Sequence, residues 1–299
     1  MGRLVKAEFR KIFTTKLWWA LLIPAVLLAV GWAWGVAALV TDIVEDLSSS
    51  DLLEEADVSL DDMSWSILAL TRSMNIATIF PMVFGSLALA SEISRKTITT
   101  SFLTAPNRAS VLSAKAITYV LWGLIYGVVV AGAASLGTVL GSKSSLLPSA
   151  GDWILVLIAG IVSCVLWTLL GMGVGALLGS PVGTLVLLLV YALLVGPFGE
   201  LILTGVTEGS HLAGWLPNGS ANGLTGATAS ALLFGQVQDL VNNSEIISQS
   251  AIDEFEQAVR LAAGAPGAYS LLVSGAIFVA WTMVFFVTGL LRNQRRDIT

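Results

Sequence analysis

Six long apolar runs divide the chain, at residues 17–40, 67–91, 116–141, 153–179, 182–204 and 269–291. Each can cross a bilayer as one helix, since about 20 residues rising about 1.5 Å apiece cover the hydrocarbon core. The polar stretches between them are uneven. Residues 41–66, 92–115 and 205–268 are long, whereas Ser180-Pro181 alone separates the fourth run from the fifth. The pattern predicts an all-α, polytopic membrane protein: one transmembrane domain over 1–299, with six transmembrane helices.

Finer periodicities add detail. In residues 3–16, Leu4, Val5, Phe9, Ile12 and Phe13 fall near one helical face, with Arg3, Lys6, Arg10 and Lys11 mostly on the other. That spacing predicts an N-terminal amphipathic helix at the membrane surface. The first run has 24 residues and no small-residue cleavage site, so it reads as a retained span rather than a secretory signal. Arg72, Asn75 and Thr78 are three residues apart in the second run and share a face, a candidate polar stripe along a substrate path. Pro81 is expected to kink that helix. Gly123, Gly127, Ala131 and Ser135 recur every four residues, as do Gly171, Gly175 and Gly179, which is the spacing of close helix packing within a bilayer. Gly196-Pro197 is expected to break the fifth helix. Glu200, one turn later, reads as a marker of the outer interface, with a cavity lining as the alternative. The stretch GWLPNGSANGLTGA from Gly214 reads as turns, and residues 236–261 as an amphipathic helix.

Charge sets the expected orientation. Twelve of the 15 basic residues lie before the first run, in 92–115 or after the last run, against two, Lys143 and Arg260, in the intervening segments. Lysine and arginine favour the cytoplasmic side. Both termini and the 92–115 loop are therefore expected in the cytoplasm, and segments 41–66 and 205–268 outside. Charged residues make up 12% of the chain, about half the share in soluble domains, which agrees with a cell-membrane location. The net charge of −5 comes from acids clustered in the outer segments and is no nucleic-acid signal.

Candidate chemistry is sparse. No glycine precedes any of the six lysines, so a GxxxxGK[ST] phosphate loop is excluded. One histidine, His211, and one cysteine, Cys164, leave little material for metal or nucleophilic catalysis. The acids of 41–66 lack calcium-loop spacing. The chain is therefore not expected to be an enzyme or to hold a metal or cofactor, and energy for any transport has to come from another protein.

The loop SEISRKTITTSFLTAPNRASVLSAK resembles the cytoplasmic loop between the second and third spans of type 2 ABC exporter permeases. In that family a Glu at the helix end is followed by a Thr, a short helix, a Pro, an Arg and a Lys. The matching positions are Glu92, Thr97, Pro106, Arg108 and Lys115. AEFRKIFTTKLWW resembles the family's interfacial helix, WLPNGSANGL its Leu-Pro turn and RNQRRDIT its basic tail, while Lys96 stands where the family usually has Gly. The resemblance implies a half-transporter. Two permeases, identical or related, pair in the lipid bilayer, and each docks on a nucleotide-binding ATPase subunit that carries the ATP and Mg. A drug, peptide or lipid-like substrate then moves outward. It further implies a cytoplasmic coupling helix over Thr97–Thr104, with docking through Arg10, Lys11, Glu92, Arg95, Lys96, Thr97, Thr99, Phe102, Pro106 and Arg108. The alternative is a non-transporting scaffold, sensor or immunity protein that binds a partner through its outer loops.

Overall fold

The computed structural model describes residues 1–49, 60, 63–104, 107–207, 210–242 and 249–295, with helices but no strand among them. Helix α1 (Gly2–Thr14) precedes α2 (Leu17–Ser48). The second apolar run forms two end-to-end helices, α3 (Ile67–Ala77) and α4 (Ile79–Ser94). A short α5 (Ile98–Thr104) leads to α6 (Arg108–Gly141), and α7 (Ala150–Leu178) follows. Next come α8 (Pro181–Val190), a π turn (Tyr191–Val195) and α9 (Gly196–Val206). The chain continues through α10 (Pro217–Asn242), α11 (Gln249–Ala262) and α12 (Leu271–Arg295). Among the described residues, six helical stretches are long and apolar enough to cross a membrane: α2, α3–α4, α6, α7, α8–α9 and α12. Six crossings bring both described ends to one face of the bundle, the terminal face; the opposite one is the far face.

Local chemistry places the helix ends. The side chains of Asn107, Ser149 and Ser180 accept hydrogen bonds from the backbone N–H groups of Ser110, Asp152 and Gly183, capping α6, α7 and α8. Pro181 occupies the first turn of α8, where its missing N–H costs nothing. Gly179 ends α7 at φ 68°, a left-handed conformation that glycine takes without penalty. It is therefore a cap and not a member of the glycine packing series.

The centre of the bundle is α3–α4, α6 and α7, closely packed through small residues. Gly123 and Gly127 of α6 face Val165 and Ile161 of α7, and Gly171 and Gly175 of α7 face Met82 and Ser86 of α4. This packing lies within one chain. Aromatic side chains close the terminal-face half. Phe9 and Phe13 of α1 and Phe84 of α4 gather around Trp122 of α6, and the Tyr126 hydroxyl donates to the Trp18 carbonyl at 2.8 Å.

Several elements differ from the sequence reading. The first span, α2, outlasts its apolar run and continues to Ser48, which makes Asp42, Glu45 and Asp46 helical. Asp51, Glu54, Glu55, Asp57, Asp61 and Asp62 lie outside the described residues, as does Pro106. The second span breaks at Thr78, not at Pro81 itself, because Pro81 has no N–H for the Ala77 carbonyl one turn earlier. Gly196-Pro197 does not break the fifth span. The helix widens into the π turn just before it, which takes up the missing N–H of Pro197 while the axis continues into α9.

The largest correction concerns residues 214–242. The stretch read as turns is mostly the first half of the 26-residue α10, which buries Ala221, Leu224, Ala229 and Leu233 within the bundle. Its glycines are contact points: Gly219 meets Ala213, Gly223 meets Ser274, and Gly226 meets Ala265. The amphipathic helix expected over 236–261 is divided between the end of α10 and α11, and residues 243–248 between them lie outside the described set.

Candidate functional site

Among the described residues, two polar constellations stand out, one toward each end of the bundle.

At the terminal face, four charged side chains from three helices form a neutral cluster. Lys115 of α6 donates to Glu8 of α1 at 2.6 Å and to Glu92 of α4 at 2.8 Å. Lys11 of α1 also pairs with Glu92. Lys115 is 1% exposed and Glu92 5% exposed, so the two Lys115 pairs sit largely out of water, while Lys11 closes the cluster from its exposed edge. A charge left unpaired in such a place costs about 3–5 kcal/mol. The cluster therefore ties α1 to the ends of α4 and α6. Above it, Phe9 stacks on Trp122 and Ile12 is buried. The apolar face of α1 thus packs in part on the protein itself.

Beyond Glu92 the chain makes a tight turn. Lys96 N–H bonds to the Ile93 carbonyl and Thr97 N–H to the Glu92 carbonyl, while Lys96 itself adopts φ 55°. These two bonds form the αL-terminated helix end in which glycine is usual. Lysine thus keeps the geometry of that turn at a conformational cost. The turn projects α5, on which Ile98 is buried and Leu103 is 85% exposed. The Arg108 guanidinium lies over the Phe102 ring, 5.4 Å from its centroid. Arg10, Arg95, Lys96 and Thr97 are exposed, and Thr99 is half-buried. Of the expected docking residues, then, Glu92 is buried in the ion cluster, Lys11 caps it from the surface, and the others described form the surface beside it.

Toward the far face, a cavity of about 360 Å³ opens between α2, α3, α9 and α10. Arg72, Asn75 and Thr78 line one side, and Glu200, Asn218 and Asn222 the other. The predicted stripe is therefore brought together on one wall. Glu200 faces it, 4% exposed, rather than marking an interface. Its carboxylate accepts from the Asn218 amide at 2.6 Å and the Asn222 amide at 3.4 Å. The Thr225 hydroxyl donates to the Asn75 side-chain oxygen Oδ1 at 2.7 Å, leaving the buried Asn75 Nδ2 without a partner among the described residues. Arg72 interacts electrostatically with Glu200 but makes no ion pair within 4.0 Å among the described residues. Its guanidinium packs against Gly264, which ends α11 at φ 76° and where a side chain would strike it.

Sequence reasoning missed Glu8, the Lys115 pairing and the α10 half of the cavity. The signal for α10 was present, because Asn218, Asn222 and Thr225 repeat at helical spacing. It was overridden by counting Pro, Asn and Gly as turn formers. His211 stacks on Tyr269, with ring centroids 4.8 Å apart, near Arg260.

Comparison with protein-family models gives no match. Comparison with curated proteins gives none either. The structure by itself defines an all-helical fold over the described residues, with six helices among them suited to crossing a membrane.

Proposed function

We propose that this chain is the membrane-spanning permease subunit of an ATP-driven exporter of the type 2 class, worked by a separate ATPase that docks on the terminal face. That face lies in the cytoplasm, where lysine and arginine concentrate. The observation that carries the reading is the Glu8–Lys115–Glu92–Lys11 cluster beside the projecting α5. A push on α1 or α5 has nowhere soft to dissipate there. It passes through the buried ion pairs into the ends of α4 and α6. Tightly packed helices respond to such a push by changing between discrete arrangements, not by bending continuously. Leu103, exposed next to the Phe102–Arg108 pair, is the apolar contact that a partner would bury. A second permease, identical or related, completes the transporter, and the far-face cavity receives the substrate.

Two variants test the reading: Leu103→Glu and Arg108→Glu in the full chain, purified from its own membranes with whatever ATPase accompanies it. The wild-type eluate is expected to hydrolyse ATP in a vanadate-sensitive way. Each variant is expected to lose about tenfold or more of that co-eluting activity at unchanged membrane yield, the size of a central interface contact. A wild-type chain that elutes without hydrolysis, or variants that retain it in full, would overturn the docking role.

A further inference from the structure

The far-face cavity holds a cation and an anion that do not meet. Arg72 on α3 and Glu200 on α9 both line it, yet they lie beyond ion-pair distance. Charges in the apolar part of a membrane protein are costly and ordinarily pair. Here each has its own support. Asn218 and Asn222 hold Glu200, and the glycine at 264 leaves room for the Arg72 guanidinium. The Asn75 amide is buried beside them with its donor unused. Taken together, the cavity offers a guanidinium and an amide N–H for an anion, and a carboxylate beyond ion-pair distance of that guanidinium for an ammonium.

The remaining walls are apolar and include Ile79, Met82 and Trp167. Trp32 of α2 and Leu201 of α9 also line the cavity, and they are 39% and 54% exposed. Both helices belong to candidate membrane spans and leave most of their side chains uncovered by the rest of the chain. The cavity therefore opens sideways toward acyl chains, between two candidate spans. Its volume falls within the roughly 300–1,000 Å³ range of small-molecule sites.

We propose that this cavity binds a zwitterionic amphiphile. Its anionic group sits on Arg72 and Asn75, its ammonium sits against Glu200, and its apolar tail leaves between α2 and α9 into the membrane. Planar guanidinium pairs well with phosphate or carboxylate oxygens, and the Trp32 and Trp167 rings suit a neighbouring ammonium. This rests on the permease reading and names the substrate class for it.

The test uses the purified full chain in detergent, without any ATPase, and measures retained lipid by native mass spectrometry. The probes are phosphatidylethanolamine, with both charges, and phosphatidylglycerol, with the anion alone. Soluble phosphoethanolamine, a head with no tail, serves as competitor. Wild type is expected to retain phosphatidylethanolamine about tenfold better than phosphatidylglycerol, the value of one added charge-assisted bond. Glu200→Gln is expected to erase that preference while leaving phosphatidylglycerol retention unchanged. Arg72→Gln is expected to lower retention of both. Should either variant fold poorly, Asn222→Ala, which removes only the weaker support of Glu200, is expected to narrow the preference at wild-type melting temperature. Equal retention of the two lipids by wild type, or a preference untouched by Glu200→Gln, would overturn the proposal. So would competition by phosphoethanolamine as effective as that by the whole lipid, which marks a soluble zwitterion instead. Because no ATPase is present, failure here leaves the docking reading standing, and failure of docking leaves this binding pattern standing.

Discussion

Lys115 reaches Glu92 at 2.8 Å from the neighbouring helix, and almost no water touches either residue. The pair is a product of tertiary structure, because 23 positions separate its members and α5 lies between them. It follows that the two should be strongly coupled in stability. Lys115→Met leaves Glu8 and Glu92 facing each other without their shared cation and is expected to cost about 3–5 kcal/mol. Glu92→Gln is expected to cost less, because Lys115 keeps Glu8. The double variant is expected to recover at least 1 kcal/mol relative to the sum, as contacting charges do in double-mutant cycles. Unfolding in mixed detergent, followed by circular dichroism, gives all four corners. Strict additivity would show that the cluster does not act as a unit.

Lys96 occupies a backbone conformation that lysine adopts at a cost. The positive φ is imposed by the two bonds that close the turn after Glu92. Lys96→Gly is therefore expected to stabilise the chain by about 1 kcal/mol, and Lys96→Val to destabilise it by at least as much. The same unfolding assay reads both. If glycine brings no gain, the turn opens in solution. Lysine at this position would then be a real change in the loop and not a tolerated substitution.

Glycines on the seams and glycines on the surface should part company. A methyl group at Gly171 would run into the Met82 backbone of the neighbouring helix, whereas one at Gly132 meets nothing within 4 Å. Gly171→Ala is expected to cost about 1–3 kcal/mol through forced separation of α4 and α7. Gly132→Ala is expected to be neutral or slightly stabilising, since alanine is the better helix former. Melting temperatures of the two variants, side by side, check the assignment of α4–α7 as the packed centre.

The spans were legible in the sequence because a bilayer demands long apolar runs, and nothing in a soluble core imitates six of them. The Arg72, Asn75 and Thr78 wall was legible too, since helical spacing alone put the three on one face. What opposes that wall was not. Glu200 looked like an interface marker because Gly196-Pro197 just ahead of it promised a break, and the π turn that prevents the break leaves no trace in residue types. Helix α10 was hidden by its own glycines. In water Pro-Asn-Gly signals a turn, but between tightly packed helices small residues are what lets the backbone approach, as Gly223 does beside Ser274. The ion cluster was half visible. Lys11 and Glu92 were singled out, yet only the docking of α1 brings Glu8 to Lys115.

The proposed orientation carries a direct consequence for which face a reagent can reach. Ser144, in the short turn between α6 and α7, is exposed at the far face, and Thr14, at the end of α1, is exposed at the terminal face. The chain's one cysteine, Cys164, is fully buried in α7, so introduced cysteines report against little background. In intact cells a membrane-impermeant maleimide is expected to label Ser144→Cys. Thr14→Cys is expected to react only after the membrane is permeabilised. The physical basis is the 12 basic residues that flank the terminal face against two elsewhere between the runs, a bias that holds a segment on the side of synthesis. The reverse labelling pattern would put α5 and its exposed Leu103 outside the cell. No ATP is available there, so an ATPase could not work the bundle through that surface, whatever the cavity binds.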